Sequence, residues 1–245
     1  MNLILVESAE LRCDGAVTLS GARAVHLIDV LKVTPGSRVR VGVVDGPIGE
    51  ARTVAVEKDR VTLQCALSGP APARPPVDLL LALPRPKVMR RLWAQLAALG
   101  VGRIMLTNAE RVERHYFDTH VLGEACYRPL LVEGLQQARD TRLPRVSIHR
   151  QFKVLVEDEL EILFPAGLRL VADPAATQPA TSAARGRAGE RVLLAVGPEG
   201  GWNAFETALL NSRGFTPVSM GPRTLRTDTA CIALLALVHS RSADL

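Results

Sequence analysis

The chain has 245 residues, 47% hydrophobic and 22% charged, with a formal net charge of +5 and a pI near 9.4. That composition excludes a fibrous or disordered chain and leaves room for one large domain or two small ones. The longest apolar run, Cys231–Val238, is far short of the roughly 18 residues of a membrane span.

MNLILVESAE carries no basic leader and too brief an apolar run for a signal peptide, so the expectation is a cytoplasmic protein with no membrane anchor. Cys13, Cys65, Cys126 and Cys231 form no CxxC pair and read as buried, reduced thiols. The five histidines show no metal spacing, and no metal is expected.

In chain order, a short helix is expected over Arg23–Leu31, ending before Thr34-Pro35-Gly36. Arg38–Val44 alternates as a strand does, Asp45-Gly46-Pro47 turns, and Ala51–Val56 and Arg60–Leu67 follow as strands. These segments predict a small antiparallel β domain over residues 1–70. SGPAPARPPVD, residues 68–78, reads as a semi-rigid linker.

Beyond the linker the pattern changes. Strands are expected at Val77–Leu83, Arg103–Thr107, Arg169–Asp173, Arg191–Val196 and Thr216–Met220. Helices are expected at Lys87–Leu99, Pro129–Thr141, Asn203–Arg213 and Asp228–Ser240, and a mobile loop between Ala175 and Gly189. Alternating strands and helices predict an α/β domain over residues 75–245 with a mostly parallel sheet. Trp93 falls on the apolar face of its helix and reads as core. Trp202 either packs the turn before it or edges a pocket.

Charge is uneven. Residues 85–150 hold twelve Lys/Arg against six Asp/Glu, whereas residues 1–74 and 151–245 are nearly balanced. A basic middle suits a polyanion such as nucleic acid, and equally a solvated, Arg-rich helix surface. Arg85, Lys87, Arg90, Arg91, Arg111 and Arg114 lie in this region.

Two strands end in Gly-Pro, at Gly197-Pro198 and Gly221-Pro222, and each leads into a helix. In α/β sheets ligands sit at the carboxyl ends of strands. Gly200 and Gly201 place no side chain between a ligand and the backbone. Asn203 with Glu206 reads as a capping pair. The phosphate-loop motif fails for want of a Lys, and the GxGxxG spacing is absent. Arg223 and Arg226 read either as site residues or as partners of Asp228 or Glu199.

GPEGGW (197–202) followed by MGPRTLRTDTA (220–230) closely resembles the paired signature of the RsmE family, ribosomal RNA uridine-N3 methyltransferases of the SPOUT superfamily. Weaker matches are VLKVTPG (30–36), ALGVGRIMLTNAER (98–111) and EGLQQARDTRLP (133–144). The resemblance implies a C-terminal α/β domain with a deep trefoil knot, a PUA-like N-terminal β-barrel that helps hold RNA, and a homodimer. It implies S-adenosylmethionine as cofactor and N3 of a uridine in 16S rRNA of the small ribosomal subunit as acceptor.

The cofactor residues it implies are Val196, Gly197, Pro198, Glu199, Gly200, Gly201, Met220, Gly221, Pro222, Leu225, Thr227, Thr229 and Ala230. Arg226 is expected to stabilise charge on the uridine, and a carboxylate, Glu199 or Asp228, or else a water, to take its proton. Arg85, Lys87, Arg90, Arg111, Arg139 and Arg142 are expected to meet RNA. The chain departs from the family pattern at Gln95, Ala98, Asp140, Thr224 and Asp228. A carboxylate at Asp140 is expected to repel phosphate. These departures leave open a related methyltransferase with another RNA target. A non-catalytic RNA-binding or ribosome-assembly factor is the reading from a different class.

Overall fold

The computed structural model describes residues 3–187, 189–221 and 223–240. The chain forms two compact units, Met1–Arg74 with Val132–Leu143, and Pro75–Leu131 with Pro144–Leu245. The stretch Val132–Leu143 thus counts with the first unit, although it follows the linker in sequence.

The first unit is a five-stranded sheet in the order β1-β3-β4-β5-β2. Its strands are β1 (Ile4–Val6), β2 (Ala16–Ser20), β3 (Arg38–Val43), β4 (Ile48–Val56) and β5 (Arg60–Leu67). All neighbours are antiparallel except β1 and β3. Helix α1 (Gly21–Val25) runs on as a π turn through His26–Val30. Val6, Val17, Leu19, Leu27, Val41, Val61 and Leu63 pack together as its core. Each such side chain removed from water stabilises the fold by about 1.5–3 kcal/mol before entropy is counted.

The later segment is stitched in by polar contacts. Buried Thr141 donates from Oγ1 to the Gly46 carbonyl at 2.7 Å, and its own carbonyl accepts from the Asp45 N–H at 2.7 Å. A Cβ on Gly42 would meet the Thr141 methyl at 2.6 Å, so glycine is required there. Asp140 accepts from the N–H groups of Thr141 and Arg142 at 2.6 and 3.0 Å. Its carboxylate therefore organises its own turn.

The second unit is a six-stranded sheet in the order β11-β9-β10-β6-β7-β8, parallel throughout. The strands are β6 (Val77–Ala82), β7 (Val101–Thr107), β8 (Arg145–His149), β9 (Leu168–Ala172), β10 (Val192–Val196) and β11 (Phe215–Val218). Every residue of β6 and β10 is buried, as central strands covered on both faces require.

Helix α2 (Pro86–Ala98) starts with Pro at its first turn and buries Val88, Met89, Leu92, Trp93 and Leu96. Gly100, at φ 74, supplies the left-handed residue that follows it. Trp93 is fully buried and donates to the Val121 carbonyl at 3.2 Å. Helix α3 (Glu124–Ala138) begins five residues before the expected Pro129, which lies inside it. Short helices α4 (Phe152–Val154) and α5 (Leu160–Leu163) flank a π turn.

The expected loop between Ala175 and Gly189 contains helix α6 (Ala180–Ala184). Ala180 and Ala184 are buried, and the Ala180 N–H donates to Ser219 at 2.9 Å. Helices α7 (Ala204–Ser212) and α8 (Thr227–His239) complete the unit. Of the four free thiols only Cys231 is buried; Cys13 is exposed, and Cys65 and Cys126 are half-buried, which corrects the expectation of four buried thiols. Among the described residues no helix is long and apolar enough to cross a membrane.

Candidate functional site

Strand β9 lies between β10 and β11, so both Gly-Pro turns leave the sheet beside the end of β9. The ends of β9 and β10, with the start of α8 and the residues before it, line a cavity of about 380 Å³, within the range of roughly 300–1,000 Å³ of small-molecule sites. Of the residues expected to hold a cofactor, Val196, Gly197, Pro198, Glu199, Gly200, Gly201, Leu225, Thr227 and Ala230 line it. Met220 and Gly221 line a smaller cavity of about 60 Å³, which shares Ala172, Asp173, Pro174, Leu225 and Ala230 with the larger one. Thr229 is exposed and lines neither. Pro222 falls outside the described residues.

The turn after β10 closes through Gly201 N–H to Pro198 O at 2.8 Å, with Gly201 at φ 74. Glycine adopts that conformation without the penalty that a side chain brings. A Cβ on Gly197 would lie 3.1 Å from Trp202 Nε1. The Trp202 ring is backed in turn by Phe152, with centroids 5.2 Å apart. Trp202 therefore does both things left open by the sequence, packing the turn and walling the cavity. Its buried Nε1 has no hydrogen-bond partner among the described residues. The Asn203–Glu206 capping box forms as expected, with bonds of 2.8 Å in each direction.

The end of β9, Val171–Ala175, and Thr207 also line the cavity and were not foreseen. RLVAD reads as a strand in the sequence, but that its carboxyl end meets the same edge of the sheet follows only from the strand order.

The charged candidates separate. Glu199 lines the cavity and pairs with Arg85 at 3.3 Å. Asp228 does not line it and accepts from Arg91 at 3.0 Å. Arg226 is the exposed residue that caps α8, between two cavity residues, and its side chain has no partner among the described residues. Lys87 and Arg90 are exposed on α2. Arg111 donates to the Gly200 carbonyl. In the first unit, Arg139 is exposed at φ 61 just past α3. Arg142 is committed to the Pro72 and Asp45 carbonyls. No group of three or more His, Cys, Asp and Glu placed to hold a metal occurs among the described residues.

The cavity fits S-adenosylmethionine. Glycine backbone lines one wall, apolar Leu225 and Ala230 another, and an unpartnered indole N–H offers a donor.

The RNA methyltransferase domain family matches residues 72–239. The ribosomal RNA small subunit methyltransferase E of Treponema pallidum (strain Nichols) is 33% identical, over 97% of this chain and 90% of that protein. The protein of the same name from Mycobacterium bovis is 30% identical, over 91% and 86%. The solved structure of the Neisseria gonorrhoeae enzyme of that name, bound to S-adenosyl methionine, shares the fold. Its TM-score is 0.78 at 21% identity, covering 98% of this chain and 97% of that one. With a domain match across most of its length and relatives at this identity, the chain belongs to the ribosomal RNA small subunit methyltransferase E family of RNA methyltransferases.

Proposed function

We propose that this protein methylates N3 of a specific uridine in 16S rRNA of the small ribosomal subunit, with S-adenosylmethionine as donor. The observation that carries this reading is the cavity lined by Val196–Gly201 of the first signature and by Leu225, Thr227 and Ala230 of the second. The names of the family's members support the substrate class.

When bound, S-adenosylmethionine supplies a methyl group already activated on a sulfonium. The chain's own residues then align the acceptor, exclude water and manage a proton. Gly197 to Gly201, with Leu225, Thr227 and Ala230, bind the donor. Uridine N3 is a poor nucleophile while protonated. Glu199, the carboxylate on the cavity wall, takes that proton. Arg226 stabilises the negative charge that then spreads onto the flanking carbonyl oxygens. Asp228 serves instead as the partner of Arg91 in the first turn of α8.

Lys87 and Arg90 meet phosphates, and Arg85 joins them from the rim beside Glu199. The enzyme works as a cytoplasmic homodimer, and its β unit is PUA-like and helps hold RNA. Small ribosomal subunits from a strain lacking the gene are the substrate to test, with labelled S-adenosylmethionine and mass spectrometry of the digested nucleosides. Labelled 3-methyluridine is expected. A different labelled nucleoside overturns the acceptor while keeping the reaction class.

A further inference from the structure

The loop after β7 is tied to the turn after β10 by two side chains. Glu206, only 3% exposed, accepts from the Asn203 N–H at 2.8 Å through one oxygen and from the Glu110 N–H at 2.7 Å through the other. The next residue, Arg111, reaches back to the turn. Its Nη1 donates to the Gly200 carbonyl and lies 3.5 Å from that of Gly201. Its aliphatic stem rests where a side chain on Gly200 would be, since a Cβ there would meet Arg111 Cδ at 2.8 Å. Strand β6 lies between β7 and β10, so these ties bridge across a strand.

We infer that Arg111 is a positioning residue for the cofactor turn and not a phosphate contact. A Gly-Gly pair has no side chain to fix the orientation of its peptides and is the freest backbone in the site. A charge-assisted bond from a guanidinium to its carbonyls supplies the missing restraint. The bond draws the carbonyls toward Arg111 and fixes which groups of the turn face the cavity. Glu206 anchors the loop that carries Arg111, so the restraint has a rigid base. The inference rests on the cofactor reading above.

The test is calorimetric titration of S-adenosylmethionine into the full-length wild type, R111M and R111K, with binding of a small-subunit rRNA fragment measured across salt concentrations. Met keeps the stem and removes the guanidinium. R111M is expected to weaken cofactor binding about tenfold, the loss of one charge-assisted hydrogen bond. R111K keeps the charge but not the fork and is expected to recover only part of that loss. In turnover the KM for S-adenosylmethionine rises while kcat at saturation holds.

The salt slope of RNA binding is expected to stay at its wild-type value in R111M and to fall by about one in Lys87→Ala, a phosphate contact by the proposed function. Unchanged cofactor affinity with a reduced RNA salt slope in R111M overturns the inference alone. No cofactor binding by the wild type overturns it together with the proposed function. A matching loss of melting temperature and of both affinities in R111M and R111K marks general damage and overturns it too.

Discussion

Arg91 donates to Asp228 across 3.0 Å and joins the middle of α2 to the first turn of α8. The pair occupies one of the two carboxylates that chemistry made candidates for the proton acceptor. The other, Glu199, also has an arginine partner, Arg85 at 3.3 Å, but it lines the cavity, and that placement separates it from Asp228. Glu199→Gln is therefore expected to lower kcat at neutral pH, and Asp228→Asn to leave kcat within about threefold while costing no more than ~1 kcal/mol of stability, the range of exposed ion pairs. Single-turnover rates and urea unfolding of both variants check this. The assignment is reversed if only Asp228→Asn stops turnover.

Arg226 caps α8 between two cavity residues, and its side chain has no partner among the described residues. Arg226→Ala is expected to reduce kcat by about 10²–10³, as loss of a group that stabilises developing negative charge does. Cofactor affinity, read by calorimetry, is expected to change little. A normal methylation rate removes the proposed role.

Trp93 is sealed in the core and hydrogen-bonded, whereas Trp202 walls the cavity. Tryptophan emission is expected to change on addition of S-adenosylmethionine, and Trp202→Phe to abolish that change. Gly197→Ala forces a methyl against an indole already backed by Phe152, so it is expected to weaken binding. A persisting signal in Trp202→Phe points to a ligand elsewhere.

Thr141→Val removes the donor that satisfies the Gly46 carbonyl while nearly preserving shape. An expected destabilisation of about 1 kcal/mol follows from removing a hydrogen bond to a partly buried acceptor. Denaturant midpoints of the two proteins measure it.

The Glu10 carboxyl is held below its usual range, chiefly by a hydrogen bond from Arg23, with the Glu7 N–H and the Arg23 charge adding and burial opposing. A carboxylate whose folded pKa is depressed stabilises the fold fully above the unfolded value of about 4.3. That contribution fades as pH falls through the lower, folded value. Arg23→Met is thus expected to cost stability at neutral pH and progressively less in acid. Urea unfolding in both ranges tests the sign, and an equal loss at both pH values counts against it.

Much of this architecture was legible because local rules and tertiary packing agree. Pro86, the apolar spacing from Val88 to Leu96, and Gly100 announce α2 at both ends. Asn203 and Glu206 announce α7. Where packing alone decides, sequence pattern fails. Helix α6 lies in a stretch of small and polar residues and is held by burial of Ala180 and Ala184 and by backbone bonds to Ser219. Strand β8, on the sheet edge, has no buried residue to set a period. Pro129 suggested a helix start, yet α3 begins at Glu124.

The two signature turns were readable as motifs, but the role of β9 depends on strand order, which no local pattern carries. The same holds for Arg111, whose bond to Gly200 exists only because β7 and β10 lie one strand apart. Asp140 was expected to repel phosphate; its carboxylate is occupied by two backbone N–H groups of its own turn.

Thr141 lies in a segment of the first unit that leaves the ribosome only after residues 75–131 of the second. The β sheet can pair its strands early in synthesis, since all five precede residue 68. Until residue 143 emerges, however, the Gly46 carbonyl and the Asp45 N–H lack their native partners. The first unit therefore cannot be finished as an independent N-terminal piece during translation, and a nascent chain halted near residue 74 is expected to resist protease less well than one released at full length.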